Sequence, residues 1–304
     1  LCRRPDNSIV SPTPAVCLAP NRWQYAAGGG FNTDYEETWD ELTPQATLDW
    51  RVNDNVFTYF TVAKGFKGGG FDDTPANPAQ TITPFDPETV WNYEIGVKTD
   101  LLDNRMRLNA TVFYMDYKDL QVTQTNAACL CNLTDNAASA EIQGVEAEFQ
   151  FAATEDLRLS LSGSYVDATY KDFLESAIIP GTNPPQRLDS SGNFLQRTPE
   201  TQLSAGIDYT VSVGSFGRAL NFRLNYSWQS EMYWATDNIA EEPSYGLLDA
   251  RIGFAPENAR WSMAIWGRNV TDELYRVNII PFFGEEVSQF GAPRTYGVDF
   301  GWKF

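Results

Sequence analysis

The sequence predicts an all-β chain of eleven antiparallel strands, and three observations lead to this fold class. Apolar and polar residues alternate one by one along many segments, which is the two-residue period of a strand with unlike faces. No segment shows the 3.6-residue period of an amphipathic helix. Short turn-forming stretches and long polar loops separate the alternating segments in strict succession, so the chain is expected to run up and down as a series of hairpins.

Each strand is located by its own alternation. The segment LNFRLNYSW places Leu220 and Phe222 on one face and Asn221 on the other. VEAEFQF (145–151) and the final YGVDFGWKF (296–304) alternate in the same way. In chain order, the predicted strands span residues 39–52, 56–71, 88–102, 106–125, 140–153, 157–173, 198–213, 218–233, 245–256, 260–278 and 294–304.

The connections are sorted by length. Short turns are predicted at 53–55, 101–105, 153–156, 213–218 and 256–260, and long polar loops at 72–87, 126–140, 173–198, 234–244 and 279–293. A soluble β-sandwich is the alternative, but it does not gather its short turns at one end and its long loops at the other. An outer-membrane barrel does, with short periplasmic turns and long extracellular loops. The sequence therefore predicts a transmembrane antiparallel β-barrel with lipid on its apolar face.

Composition agrees with this class. The 304 residues include 22 basic and 40 acidic residues and no histidine, a formal charge of −18 that argues against nucleic acid as a partner. No apolar run approaches the roughly 18 residues of a transmembrane helix, whereas alternating barrel strands are hydrophilic on average. The expected location is the outer membrane of a Gram-negative bacterium, as an integral protein.

The strand count is odd, and this predicts a missing partner. Eleven antiparallel strands do not close a single-chain bacterial barrel, which has an even number. Counting back from the last strand places residues 1–38 in an extracellular loop segment and residues 39–304 in the barrel wall. Unpaired strand edges inside a membrane are costly, so the other strands are expected from a second piece of protein.

The four cysteines are Cys2, Cys17, Cys129 and Cys131, all in polar loop sequence. With no CxxC pair and no histidine they argue against a zinc site, so neither a metal nor a cofactor is predicted. Loop disulfides in an oxidising compartment are the favoured interpretation, and four cysteines allow three pairings. Cys2–Cys17 is easy to form, whereas Cys129–Cys131 closes a very small ring.

Five segments carry a family resemblance. They are YFTVAKGFKGGGFD, NYEIGVKTDLLDNRMRLNATVFYMDYKDLQV, EIQGVEAEF, GRNVTDELY and GAPRTYGVDFGWKF, and in this order they resemble the C-terminal half of TonB-dependent outer-membrane receptors. The resemblance implies a 22-stranded barrel filled by an N-terminal plug domain, of which this chain is the last eleven strands. The plug and the first eleven strands then belong to a separate or cleaved chain of the same receptor.

The resemblance also implies a function. Such receptors import a scarce, bulky nutrient, by family default a ferric siderophore, and the TonB–ExbB–ExbD complex supplies the energy through the plug. The alternatives are a passive or substrate-specific porin-like channel, or import of vitamin B12, a carbohydrate or a small organic compound. No catalysis is expected, since a Ser/His/Asp triad is impossible without histidine. The barrel-assembly machinery, lipopolysaccharide and lipid are further implied partners.

The resemblance places substrate binding on extracellular loops and on the plug. Phe304, with Trp302 and Phe300, resembles the C-terminal aromatic signal that the assembly machinery reads. The glycine-rich KGFKGGG (64–70) is expected to be a strand end beneath a loop, because no helix follows it to form a phosphate site. Aromatic loop residues can stack on a ligand or form the interfacial girdle. The candidate binding residues are Trp23, Tyr25, Phe71, Arg187, Tyr233, Trp234, Phe282 and Phe283.

Overall fold

A computed structural model describes residues 2–3, 9–10, 36–71, 84–126, 131–177, 186–217, 219–257, 259–282 and 285–304. One antiparallel sheet dominates them, and every strand in it pairs with its neighbours in sequence. The prediction of eleven antiparallel strands is confirmed. The strands are β1 Gln45–Asn53, β2 Val56–Lys67, β3 Glu88–Leu101, β4 Met106–Asn126, β5 Cys131–Ala152, β6 Leu157–Ala177, β7 Thr201–Val211, β8 Leu220–Gln229, β9 Tyr245–Phe254, β10 Trp261–Arg268 and β11 Thr295–Trp302.

The register places the apolar residues of successive strands side by side on one face. Phe60 lies opposite Ile95, Ile95 opposite Val112, Val112 opposite Val145, and Val145 opposite Tyr165. Ile95 is 57% exposed and Val112 50% exposed, so nothing in the described chain covers this face. Among the described residues there is also no helix long and apolar enough to cross a membrane.

Aromatic residues border this apolar face at both ends. At the loop end Trp91 stacks near Tyr93, and Tyr93 lies 6.2 Å from Tyr114 between ring centroids. At the turn end the rings of Phe254 and Trp261 lie 5.8 Å apart. From Met106 at the turn to Tyr114 the strand rises about 27 Å at 3.4 Å per residue, close to the apolar band of outer-membrane barrels.

Strands β4, β5 and β6 continue beyond the apolar band. Their outward residues there are polar: Gln143 donates to Asp167 over 3.1 Å, and Tyr114 donates to Glu141 over 2.9 Å. Lys171 forms an ion pair with the same Glu141. The upper third of these three strands therefore meets water or polar headgroups rather than lipid tails.

Strand length is the first correction to the sequence prediction. The predicted loop 126–140 is mostly strand, since β4 extends to Asn126 and β5 begins at Cys131. Above the apolar band the outward face of these strands is polar and only a few inner residues such as Val122 and Ala138 are apolar, so the strict alternation that marks a strand lower down is absent. The predicted loop 173–198 likewise contains the short strand Gln186–Asp189, which pairs with the upper end of β6. In and next to the predicted loops 234–244 and 279–293, short strands form two separate hairpin pairs: Met232–Tyr233 with Glu241–Glu242, and Arg276–Phe282 with Glu285–Phe290.

The end of β10 is the second correction. The predicted strand 260–278 stops at Arg268, because Asn269 and Asp272 adopt left-handed backbone conformations with φ of 47° and 60°. The Asn269 amide then donates to the carbonyl oxygens of Glu273 and Ala292, which turns the chain away from the sheet. The first predicted strand is also shorter than expected, since residues 36–44 are in no strand.

Candidate functional site

The inward face of the sheet is polar and concave, and it is the first part of the candidate site. One continuous cross-strand row runs across seven strands from Tyr59 and Gly96 through Thr111 and Glu146 to Ser164, and then to Gln202 and Gln229. Since strand residues alternate between faces, this row is fixed by the same register that builds the apolar face. A depression of about 690 Å³ lies along its middle.

Carboxylates gather on the β3–β5 side of this wall. The Tyr59 hydroxyl donates to Glu94 over 2.5 Å, and a Cβ atom at Gly96 would lie 2.4 Å from the Tyr59 ring, so this approach requires glycine there. Glu148 accepts a hydrogen bond from Gln150, and Glu146 lies in the same strand. Within the described residues, none of the three glutamates forms an ion pair.

On the β7–β11 side two of the acidic residues form ion pairs. Asp299 accepts from Arg251 over 2.5 Å and from the Trp266 indole over 3.0 Å. Asp208 accepts from Arg223 over 2.7 Å. Asp249 accepts from the Asn269 backbone N–H over 2.9 Å, so each of these carboxylates has a hydrogen-bond donor within the chain.

Three extracellular connections pack together and form the second part of the site, here called the loop rim. It comprises residues 186–200 after β6, 230–244 after β8, and 269–282 with 285–294 after β10. Glu175 joins the first two, since it accepts hydrogen bonds from Ser190 and Thr236 over 2.6 Å each. Asn238 strengthens that junction by accepting from the Phe194 backbone N–H (2.7 Å) and donating to the Phe194 carbonyl (3.0 Å).

A buried ion pair joins the second and third connections of the loop rim. The Glu242 side chain is only 3% exposed and accepts from the Arg276 guanidinium over 2.6 Å and from the Arg276 backbone N–H over 2.9 Å. Breaking such a pair costs free energy, because either partner left alone would be a poorly solvated charge. The loop rim is thus tied by charge as well as by neutral hydrogen bonds.

Two small apolar clusters support the loop rim. Trp234 packs with Ala240 and Ile279, and Tyr170 packs with Phe173 at a ring separation of 4.8 Å. Burial raises the pKa of the Tyr170 phenol, which lies above the apolar band, to about 12. Both clusters are interior parts of the rim.

The structure separates the predicted binding residues. Trp234 is 5% exposed with the Arg197 guanidinium 5.4 Å from its ring centre, and Tyr233 stacks on Phe194 at 6.1 Å. Phe71 lies beside Trp39, just after the end of β2. Strands β3, β4 and β5 lie between β2 and β6, the first strand that leads into the rim. These contacts do not test a role in substrate binding.

Other predicted residues fall partly or wholly outside the described part. Trp23, Tyr25 and Phe283 are outside it, and only the backbones of Arg187 and Phe282 are described. The same holds for the cysteines. Cys2 begins a two-residue strand and Cys131 begins β5, but no cysteine side chain is described, so the disulfides stay a prediction. Phe300 and Trp302 point outward on β11, which leaves their role in assembly a prediction. The boundary at residue 38 likewise stays a prediction.

Residues that sequence reasoning missed hold the loop rim together. Glu175, Asn238, Glu242 and Arg276 lie in no recognisable motif, and each finds its partner far away in sequence. Asn238 has a weak signal, because asparagine tolerates the left-handed backbone (φ 54°) that it adopts here. In the described residues there is no group of side chains that could hold a metal ion.

Comparison with known proteins gives a consistent result. Residues 18–302 match the family model described as TonB dependent receptor-like, beta-barrel. The chain is 23% identical over 272 residues to the pesticin receptor of Yersinia pestis, which covers 90% of this chain and 37% of that protein. It is 29% identical over 136 residues to the metal-pseudopaline receptor CntO of Pseudomonas aeruginosa, 45% of this chain and 18% of that protein.

A solved structure agrees on the fold. The crystal structure of the ferric yersiniabactin uptake receptor FyuA from Yersinia pestis superposes with a TM-score of 0.69 at 22% identity, over 86% of this chain and 37% of that one. The chain therefore spans about a third of the length of these relatives.

Proposed function

The chain belongs to the TonB-dependent receptor-like β-barrel family, and from this premise we propose that it is the C-terminal part of an active importer. The family consists of non-enzymatic transporters of the outer membrane, so this chain is an outer-membrane barrel wall. The proposed importer binds its substrate outside and admits it when a plug inside the barrel rearranges under TonB.

The unpaired carboxylates of the inner wall carry this proposal. Glu94, Glu146 and Glu148 face a concave space without a basic partner in the described residues, whereas Asp208 and Asp299 have one. Carboxylates at a protein interface are stabilised by opposing charges on the partner. The three glutamates on β3 and β5 are open to such a partner. A plug with a basic surface on this side fits that requirement, and an empty porin lumen would supply only water.

The remaining partners and strands are part of the same proposal. β1 and β11 are the edges of the sheet, and a sheet within a membrane satisfies its backbone only by closing into a barrel. The rest of the receptor supplies the other strands and the plug, and the TonB–ExbB–ExbD complex acts on that plug. Lipopolysaccharide and lipid meet the outward face.

The proposed substrate is a metal chelate, with a ferric siderophore first. Its support is what similar receptors take up or bind: ferric yersiniabactin for the Yersinia receptor and metal-pseudopaline for the Pseudomonas receptor. Vitamin B12, a carbohydrate or another small organic compound are the alternatives.

Uptake by cells tests the proposal. The full-length receptor is expressed in a host lacking its own siderophore receptors, and iron-55 yersiniabactin and metal-loaded pseudopaline are offered with and without a tonB deletion. Saturable uptake of either that disappears without TonB is expected. If liposomes containing the purified full-length receptor instead swell freely in small sugars, the protein is a passive channel and the proposal is wrong.

A further inference from the structure

The middle of the inner wall differs from both of its flanks. Across β6, β7 and β8 the inward residues are small and uncharged over three successive cross-strand rows. We name this surface the serine strip; it consists of Ser160, Ser162, Ser164, Gln202, Ser204, Gly206, Asn225, Ser227 and Gln229. No other group of three neighbouring described strands shows an inward face without a charge or an aromatic ring at this height.

Side-chain size makes the serine strip a recess. The depression of about 690 Å³ is lined by Ser162, Ser164, Ser204 and Ser227, with Glu146 and Glu148 at its β5 edge, and its volume is typical of small-molecule sites. Gly206, in the row of Ser160 and Asn225 at the turn end of the strip, adds no side chain to it. The flanking β2–β4 wall instead fills the same height with Tyr59 and Phe113.

The serine strip would also hold a neighbouring domain only weakly. Neutral hydroxyl and amide groups form hydrogen bonds roughly half as strong as those of charged groups, and water replaces them readily. One such group, the Gln229 amide nitrogen, has no partner in the described structure. The charged flanks, in contrast, offer Glu94, Glu146 and Glu148 on one side and Arg251 on the other.

We propose that the transported solute passes between the plug and the barrel wall along the serine strip, an inference that rests on the proposed import function. The strip runs from the loop end at Ser164 and Gln229 toward the turn end at Ser160 and Asn225. A hydroxyl donates or accepts as needed, so a polar solute exchanges hydrogen bonds step by step. The strip itself carries no fixed charge that would hold the solute in place, and passage through a pore requires each site to release it; Glu146 and Glu148 border the path only on the β5 side.

Filling the recess in the full-length receptor tests this proposal. Ser204→Trp projects an indole into the strip, and Ser262→Trp is the matched control, because Ser262 also faces inward but lies on β10. Iron-55 yersiniabactin or metal-loaded pseudopaline is the probe, whichever the parent receptor takes up. Ser204→Trp should lower TonB-dependent uptake at least about tenfold with unchanged binding at the cell surface, and Ser262→Trp should stay within about twofold.

Other results separate the possible failures. If Ser204→Trp and Ser262→Trp show the same uptake, either both at the parent level or both strongly reduced, the proposed passage along the strip is wrong. If Ser204→Trp does not assemble, Ser204→Cys is modified by a bulky maleimide after assembly, and the parent receptor is treated in the same way. Loss of uptake in the modified variant alone supports the passage, and equal uptake in both overturns it. If the parent shows no TonB-dependent uptake, the proposed function itself is wrong and the passage falls with it.

Discussion

The two flanks of the inner wall differ in how their central carboxylates are held. On the β7–β11 flank, Asp208 and Asp299 are each held by an arginine of the next or second-next strand. On the β3–β5 flank, Glu94, Glu146 and Glu148 have no such partner among the described residues. Each flank has one exception, since Asp249 of β9 accepts the Asn269 backbone N–H and Asp100 of β3 pairs with Arg107 over 2.7 Å. The three unpaired glutamates are the part of the β3–β5 flank that we propose meets a domain outside this chain.

Neutralising the unpaired flank is the change with the largest expected effect. Glu146→Gln combined with Glu148→Gln removes two carboxylates that we place against a basic plug, and uptake should fall at least about 30-fold, since losing charged contacts at an interface costs about 2 kcal/mol or more. Asp208→Asn is the matched control on the paired flank and should change uptake less than about threefold. Radiolabelled uptake by cells with equal surface expression measures both. Similar losses in both variants would remove the contrast between the flanks.

The buried pair of the loop rim extends the comparison to a site where both charges belong to this chain. Glu242→Gln leaves the Arg276 guanidinium without its carboxylate and should lower the local stability of the rim by about 3 kcal/mol. Amide hydrogen exchange should then speed up about 100-fold in Arg276–Phe290. Glu241→Gln is the matched control, because the neighbouring Glu241 side chain is exposed. Unchanged exchange in Glu242→Gln would show that packing alone holds the third connection.

The Asn238–Phe194 junction of the same rim contains no charge, so it should contribute less stability than the Glu242–Arg276 pair. Asn238→Ala removes two hydrogen bonds to Phe194 and places alanine at φ 54°, and about 2 kcal/mol of local stability should be lost. Asn238→Gly accepts that backbone conformation, so it should lose only the part due to hydrogen bonding. Hydrogen exchange of residues 190–200 distinguishes the two. Equal losses would mean that backbone strain contributes nothing here.

The exposed pair on the outward face has the smallest expected effect. Lys171 and then the Tyr114 hydroxyl hold the pKa of Glu141 below its usual value, and Glu141 raises the pKa of Lys171. The pair is therefore intact above the ordinary carboxyl pKa and is lost as pH falls through the lowered value. Lys171→Ala should leave the melting temperature unchanged from about pH 6 to 9, because exposed pairs are screened by solvent. A clear fall in that range, removed by high salt, would contradict this.

The sheet was predictable because its two faces contact different solvents. Lipid on one face and a polar lumen on the other impose a strict alternation, as in β8, and the short turns fix where each hairpin reverses. The alternation disappears where the lipid ends. This is why the upper part of β4 and β5 was predicted to be a loop although both strands continue there.

The loop rim was not predictable for a different reason. Its junctions join residues distant in sequence, such as Asn238 and Phe194, 44 positions apart, and short polar side chains carry no local sign of such partners. The packing of the aromatic residues in this region was not predictable either. Trp234 was predicted as a loop residue that binds substrate; the structure packs it against Ala240 and Ile279, and its role in binding stays a prediction.

Because each strand pairs only with the strands before and after it, the sheet can grow by one hairpin at a time. No pairing has to wait for a remote part of the chain, and closing a longer loop costs little, about 0.6 kcal/mol for each doubling of its length. The short turns, such as the four residues between β3 and β4, then set the pace of each addition. Insertions in the extracellular connections should consequently slow folding far less than insertions of the same size in the periplasmic turns.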